Sequence, residues 1–365
     1  YPAAARGRTG MTIAMFSLIV FSLVMMATMN QNYAASVLGD EANAGWHVRA
    51  DQLGSEPIAD FTGELESNGV DISDFEAVGV THSPTTSIAE ARVAGAEDPD
   101  WKQYPVVGME PSFIDGSTLS FDQRATGYES DGAILEALRT EPGAVVVDAF
   151  ALPADGDIGA DENAFVLTGL ASEDKTFEPI TVELLLPADG STHHVKVIGV
   201  IDSTIGSLYG MFGSQATMDT VYGEIASTSY YLALDDPDQA AATAREIEAA
   251  LLSQGVEGNS IQDELEEAQA MESGFLYIIE GFMGLGLLVG IAAVGVIAFR
   301  SVVERRQQIG VMRALGYQRR TITLSFLIET IFVVGVGGFA GTVLGLLLAQ
   351  KLLASEDSGL SDTQF

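Results

Sequence analysis

The sequence predicts an α+β membrane protein in which three membrane-spanning helices frame a large mixed α/β extracytoplasmic domain inserted between the first and second. Three observations carry this expectation. Apolar stretches of spanning length occur at 11–29, 275–299 and 322–349, each able to cross a hydrocarbon core of about 30 Å. Residues 33–273 instead hold 45 Asp and Glu against 8 Lys and Arg, with short Val, Ile and aromatic runs between Gly, Asp and Pro turns. Finally, six of the seventeen basic residues fall within 300–320, between the second and third apolar stretches. Positive charge in a short loop is retained in the cytoplasm, so the orientation of the other segments follows.

The expected divisions are 1–32 (cytoplasmic N-terminus and first span), 33–273 (acidic domain with stalk helices), 274–299 (second span), 300–321 (cytoplasmic segment), 322–350 (third span) and 351–365 (extracytoplasmic tail). The first span carries no charge and follows Arg6 and Arg8, which keep the amino end inside; a cleaved signal peptide has a shorter apolar core. In the acidic domain, strands are expected at Phe75–His82, Ala144–Phe150, Phe165–Leu170, Ile180–Leu186, Val195–Ile201 and Tyr230–Leu234. Asp131 is expected to cap a helix through Arg139. A second helix starts at Asp236-Pro237, carries Ala244, Ile247 and Leu251 on one face and stops at Gly255. Two subdomains are expected, divided near Trp101 and Gly213. Ser260 and Asp263 read as a capping box opening a helix that continues into the second span as a stalk.

Within the second span, Glu280 lies twenty residues before Arg300, about 30 Å along a helix and therefore at the outer interface. GLGLLVG from Gly284 has no preceding strand and reads as helix packing, not a dinucleotide fingerprint. In the third span, Gly337, Gly341 and Gly345 recur every fourth residue and expose one helix face to a neighbouring backbone. Glu329 is the span's one charge and costs about 2.5–3.5 kcal/mol near mid-membrane, so a helix interface or a nearby arginine is its expected environment.

The formal net charge of -34 reads as a salt-adapted surface, because at molar salt the screening length falls to about 3 Å. Four lysines against thirteen arginines resemble halophilic archaeal composition. A cation-binding surface is the competing reading, but the acids are dispersed. Without cysteine there is no disulfide, thiolate or Cys-type zinc chemistry. GxxxxGK[ST], GxSxG and HExxH do not occur, and the adjacent His193 and His194 point to opposite faces of a strand. No catalytic residue, metal ligand or cofactor is assigned, and the acidic charge argues against nucleic acid as partner.

Between Val303 and Ile322 runs VERRQQIGVMRALGYQRRTI, which resembles the signature of FtsX-like permeases, membrane subunits of the MacB, lipoprotein-releasing and FtsEX class of ABC transporters. Glu304, Arg305, Arg306, Ile309, Gly310, Met312, Arg313, Ala314, Leu315 and Gly316 carry the likeness. It implies a non-enzymatic permease subunit with a MacB-like outer domain, coupled through these residues to a separate cytoplasmic ATP-binding subunit. Further implied partners are membrane lipid, a second permease half or a homodimer partner, and an extracytoplasmic protein or cargo. The stalk would carry ATP-driven movement to the outer domain for export, lipoprotein or cell-envelope handling. The family's fourth span is absent from these residues, so one half of a pair or the second repeat of a longer permease is expected. The alternative is a membrane-anchored extracellular sensor or ligand-binding protein.

Overall fold

The computed structural model describes residues 6–37, 39, 41–54, 56–84, 88–96, 100–153, 164–171, 174–186, 190–223, 225–304 and 306–353. In chain order these form α1 (Arg6–Val37), β1 (Val48–Leu53), α2 (Phe61–Ser67), β2 (Phe75–Pro84), β3 (Ile88–Val93), β4 (Lys102–Met109), α3 (Pro111–Gly116), β5 (Phe121–Ala125), α4 (Asp131–Thr140) and β6 (Ala144–Val147). There follow β7 (Thr176–Phe177), β8 (Ile180–Leu185), β9 (Thr192–Ile201), β10 (Met211–Ser214), α5 (Gln215–Val221), β11 (Ile225–Leu234), α6 (Ala240–Leu251), β12 (Val256–Ser260), α7 (Ile261–Glu304), α8 (Arg306–Ala314) and α9 (Arg319–Leu353). Two compact units result, residues 36–268 and residues 1–35 with 269–365.

In the first unit the described strands make one sheet, ordered β10-β6-β9-β8-β3-β4-β2-β11-β1-β12, with β5 on β9 and β7 on β5. A further parallel pairing of β10 with β4 closes the β10-to-β4 portion on itself. The sheet separates two apolar cores. One is formed mainly by the closed portion with α3, α4 and α5, and buries Trp46 against Phe113 at 5.3 Å. The other lies between β1, β2 and β11 and the helices α2 and α6, where Phe61 stacks on Tyr230 at 4.0 Å. In α6 the buried positions Ala240, Ala244, Ile247 and Leu251 follow helical spacing; each large aliphatic contributes about 1.5–3 kcal/mol on full burial. Gly255, left-handed at φ 72°, ends the 3₁₀ extension of that helix.

Several expectations need correction. Phe165–Leu170 is not a strand: Ala164 makes a lone bridge to Gln103, and the residues that follow cover the core through side chains, with Phe165 stacked on Tyr104 at 4.7 Å. β6 stops at Val147, because the Asp148 carboxylate accepts the Phe150 N–H at 2.7 Å and turns the chain into a 3₁₀ turn, Ala149–Ala151. Ser130, not Asp131, caps α4, its hydroxyl accepting the Ala133 N–H at 3.2 Å; Asp131 is left to pair with Arg124 at 2.6 Å. The division near Trp101 and Gly213 fails, since Trp101 immediately precedes β4 and Gly213 lies inside β10, both strands of the one sheet. The two cores divide by position on the sheet, and each draws on distant parts of the chain.

The second unit contains the long helices. Gly10–Thr28 and Ile331–Lys351 are long and apolar enough to cross a membrane, and Tyr277–Ala292 is a shorter apolar stretch. Among the described residues, then, two stretches have spanning length against the three expected. α9 packs its glycine face on α1. A Cβ at Gly337 would lie 3.0 Å from the Ile13 carbonyl oxygen, at Gly341 2.5 Å from that of Ser17, and at Gly345 3.0 Å from that of Phe21. α7 meets the same helix through Gly290, beside Met15 and Ile19. Phe16, 2% exposed, touches both partners of α1. The tail beyond 353 and the side chain of Glu329 lie outside the described residues.

Candidate functional site

The segment from 300 to 320 carries the end of α7, the short α8 and the start of α9. Its first feature is an ion pair one helical turn long, Arg300 Nε to Glu304 Oε1 at 2.8 Å, on the surface. With the base preceding the acid this pair contributes at most about 0.5 kcal/mol, so it orders the exit of α7 without anchoring it. Arg305 lies outside the described residues.

α8 is short and amphipathic. Ile309 and Met312, one turn apart, are half-buried, whereas Arg306, Gly310, Val311, Arg313 and Ala314 are exposed. α8 ends at Ala314, and Leu315, 74% exposed, caps it with its N–H still donating to the Val311 carbonyl at 3.0 Å, one helical turn beyond Met312. That end is a complete Schellman turn. The Gly316 N–H donates to the Arg313 carbonyl and the Tyr317 N–H to the Met312 carbonyl, both at 3.1 Å, while Gly316 sits at φ 93°. Glycine takes this left-handed conformation without a Cβ penalty, so the Ala-Leu-Gly block is a helix stop in physical terms. Sequence reasoning missed it, although a glycine closing an amphipathic stretch is the usual signal.

The segment exposes Val311, Leu315 and Tyr317 by 61%, 74% and 54%, with Arg306, Arg313 and Arg320 also on the surface. The described residues contain no group of three or more His, Asp or Glu placed to hold a metal.

The polar chemistry of the sheet unit is of another kind. Asp148 accepts hydrogen bonds from the Tyr104 hydroxyl at 2.6 Å and the Gly210 N–H at 2.5 Å; burial raises its carboxyl above the ordinary range while these donors oppose the rise. A small cleft is lined by His82, Gln215, Asp219 and Tyr222 among others. His82 Nδ1 is 2.9 Å from the Thr228 hydroxyl and Nε2 is 3.4 Å from Glu110. Burial lowers the His82 pKa, with Glu110 and Asp219 opposing. Neighbouring His193 and His194 lie on β9, with His194 4.0 Å from Glu183.

Comparison with known proteins gives a family likeness at the helical end of the chain. Residues 281–364 match the family model described as FtsX-like permease C-terminal. The macrolide export ATP-binding/permease protein MacB of Hyphomonas neptunium is 30% identical over 161 residues, 41% of this chain and 25% of that protein. The ABC transporter permease YvrN of Bacillus subtilis is 34% identical over 92 residues, 25% of this chain and 22% of the relative. The matched part thus spans a quarter or less of the length of either relative. A solved extracellular domain of the noncanonic ABC-type transporter YknZ from Gram-positive bacteria is similar at 13% identity with a TM-score of 0.31, covering 58% of this chain and 100% of that one; a superposition that loose carries no argument.

Proposed function

We propose, on the premise that residues 281–364 are an FtsX-like permease C-terminal segment, that this chain works as the transmembrane permease subunit of an ABC transporter. A separate ATP-binding subunit docks on residues 300–321, and α7 carries the resulting movement to the acidic sheet unit outside. In this reading the segments near 11–29, 275–299 and 322–349 all span the membrane. The arginine-rich reversal is cytoplasmic, and a second permease half or a second copy completes the assembly. Glu304, Arg305, Arg306, Ile309, Gly310, Met312, Arg313, Ala314, Leu315 and Gly316 form the coupling site, and Gly337, Gly341 and Gly345 fix helix packing.

The observation that carries this proposal is the coincidence of the family match with an exposed apolar and basic surface on α8 and its closing turn. Met312 and Leu315 each add about 1.5–3 kcal/mol if buried in a partner's groove, and the surrounding arginines set the orientation. The 365 residues contain no phosphate-binding GxxxxGK[ST] motif, which fits ATP binding in another subunit. The test is a photo-crosslinker at Met312 in salt-stabilised membranes. Capture of an ATP-binding subunit, abolished by Leu315→Arg, is the expected result; clean recovery of the chain with no such subunit attached overturns the reading in favour of a membrane-anchored sensor.

A further inference from the structure

We propose that Arg49 is a positioning residue that clamps the root of α7 to strands β1 and β11, fixing how the helix is rotated where it leaves the sheet. The clamp's role in transmitting movement rests on the function proposed above.

The argument begins with strand alternation. Arg49 lies opposite Tyr231 on β11 and Asn259 on β12, and Asp51 opposite Ser229 and Glu257. These residues therefore share one face of the sheet, while Val48 and Ala50 face the second core. The Arg49 guanidinium donates from Nε to Asp51 Oδ2 and from Nη2 to Glu264 Oε1, both at 2.9 Å. The Ser229 hydroxyl holds the other Asp51 oxygen at 2.5 Å. One planar cation thus joins β1, β11 and the first turn of α7. Glu264 is 215 positions away in the chain, so no local rule puts it there.

The remaining attachments of the root differ in kind. Ile261 and Leu265, 1% and 6% exposed, sit in the first core, and the Ile261 N–H donates to the His47 carbonyl at 3.0 Å. Apolar contact holds the helix down but is non-directional, while the continuity with β12, the Ile261 N–H bond and the Ser260 hydroxyl on the Asp263 N–H at 3.3 Å hold only the start of the first turn. A guanidinium fork has fixed geometry. Loss of Arg49 therefore leaves the root attached and frees it to turn. The choice of residue is also informative: of the 8 Lys and Arg in residues 33–273, this one is placed between two carboxylates at the base of the helix that runs to Glu304.

The experiment uses the full chain with its ATP-binding subunit in lipid nanodiscs, read by amide hydrogen exchange. Arg49→Met keeps the apolar stem, Glu264→Gln keeps the shape, and R49E/E264R exchanges the charges. Without nucleotide, Arg49→Met is expected to speed exchange at 264–268 about fivefold and leave β6 and β9 unchanged. With ATP, any change that wild type shows in β1 and β11 falls by at least half in each single variant, at an unchanged ATPase rate, and returns in the charge-swapped protein. A merely structural role predicts faster exchange at 264–268 with the ATP-dependent change intact in the single variants. Full transmission in the single variants, or a swap no better than they are, overturns the proposal. If wild type itself shows no ATP-dependent change, the function proposed above fails; the clamp then stands or falls on exchange at 264–268, and an unchanged rate in Arg49→Met sinks it.

Discussion

Single side chains decide two properties that can be measured directly. At Gly341 a Cβ would stand 2.5 Å from the Ser17 oxygen and 2.9 Å from Val20 Cβ, whereas at Gly338 nothing lies within 4 Å. Overpacking of this kind costs about 1–3 kcal/mol. Gly341→Ala should therefore lower the unfolding midpoint of the detergent-solubilised chain, while Gly338→Ala, gaining helix propensity, should leave it level or slightly raised; equal effects would deny the glycine contact with α1. The second property is acid sensitivity. His47 Nδ1 accepts the Leu234 N–H at 2.9 Å, and a proton there turns the acceptor into a second donor. Burial lowers the pKa of both His47, against Glu76, and His82, against Glu110 and Asp219. Below about 6.5 the unfolded chain takes up protons that the folded chain refuses, so the stabilisation is present above that pH and is lost as pH falls. The urea midpoint followed by tryptophan fluorescence should drop between pH 7 and 5, and His47→Asn with His82→Asn should flatten that slope.

At the scale of elements, legibility tracked how local the cause is. The α6 stripe, the Asp236-Pro237 start and the opening of α7 at Ser260, whose hydroxyl accepts the Asp263 N–H at 3.3 Å, depend on residues within a few positions and were readable. β1, β3, β4, β5, β10 and β12 were not. In β1 and β3 the inward positions are small or polar, as at Ala50, Gln52, Ala89 and Ala91, so their alternation carries little apolar signal, and the outward Arg49 and Arg92 pair with Glu264 and Glu183 on distant elements. In the candidate site the motif marks the segment, but the place where α8 ends depends on the left-handed Gly316 and its turn bonds, which a family signature does not spell out. Likewise the glycine repeat announced a close helix neighbour without saying that α1 supplies it. The Schellman end makes its own prediction. At φ 93° a Cβ costs about 1–2 kcal/mol, so Gly316→Ala should loosen the turn and reduce crosslinking from Met312. Gly316→Asn, tolerant of that conformation, should retain more; identical loss in both would separate the site from its turn geometry.

For the whole molecule the deciding quantity is uneven charge. Residues 33–273 carry 45 acids against 8 bases, whereas the complete chain sums to -34, so the helical remainder is slightly positive. Salt acts on the sheet unit in two opposing ways. It weakens the ion pairs that Arg49, Arg92, Arg124 and Arg139 make with carboxylates, but such partly exposed pairs contribute only about 0–1 kcal/mol each. It also screens repulsion among a large excess of acids. The range of that repulsion shrinks from about 10 Å at 0.1 M to about 3 Å at 1 M, and the repulsive terms far outnumber the attractive ones. Screening should win. Thermal unfolding followed by Trp46, which is fully buried in the sheet unit, should move to higher temperature as potassium chloride rises from about 0.1 to 2 M. Replacing a set of exposed acids such as Glu66, Glu129 and Asp238 by Gln and Asn should shrink that rise. A midpoint that falls with salt would mean that the few arginine pairs outweigh the acidic field, and the salt-adapted reading of the composition would be wrong.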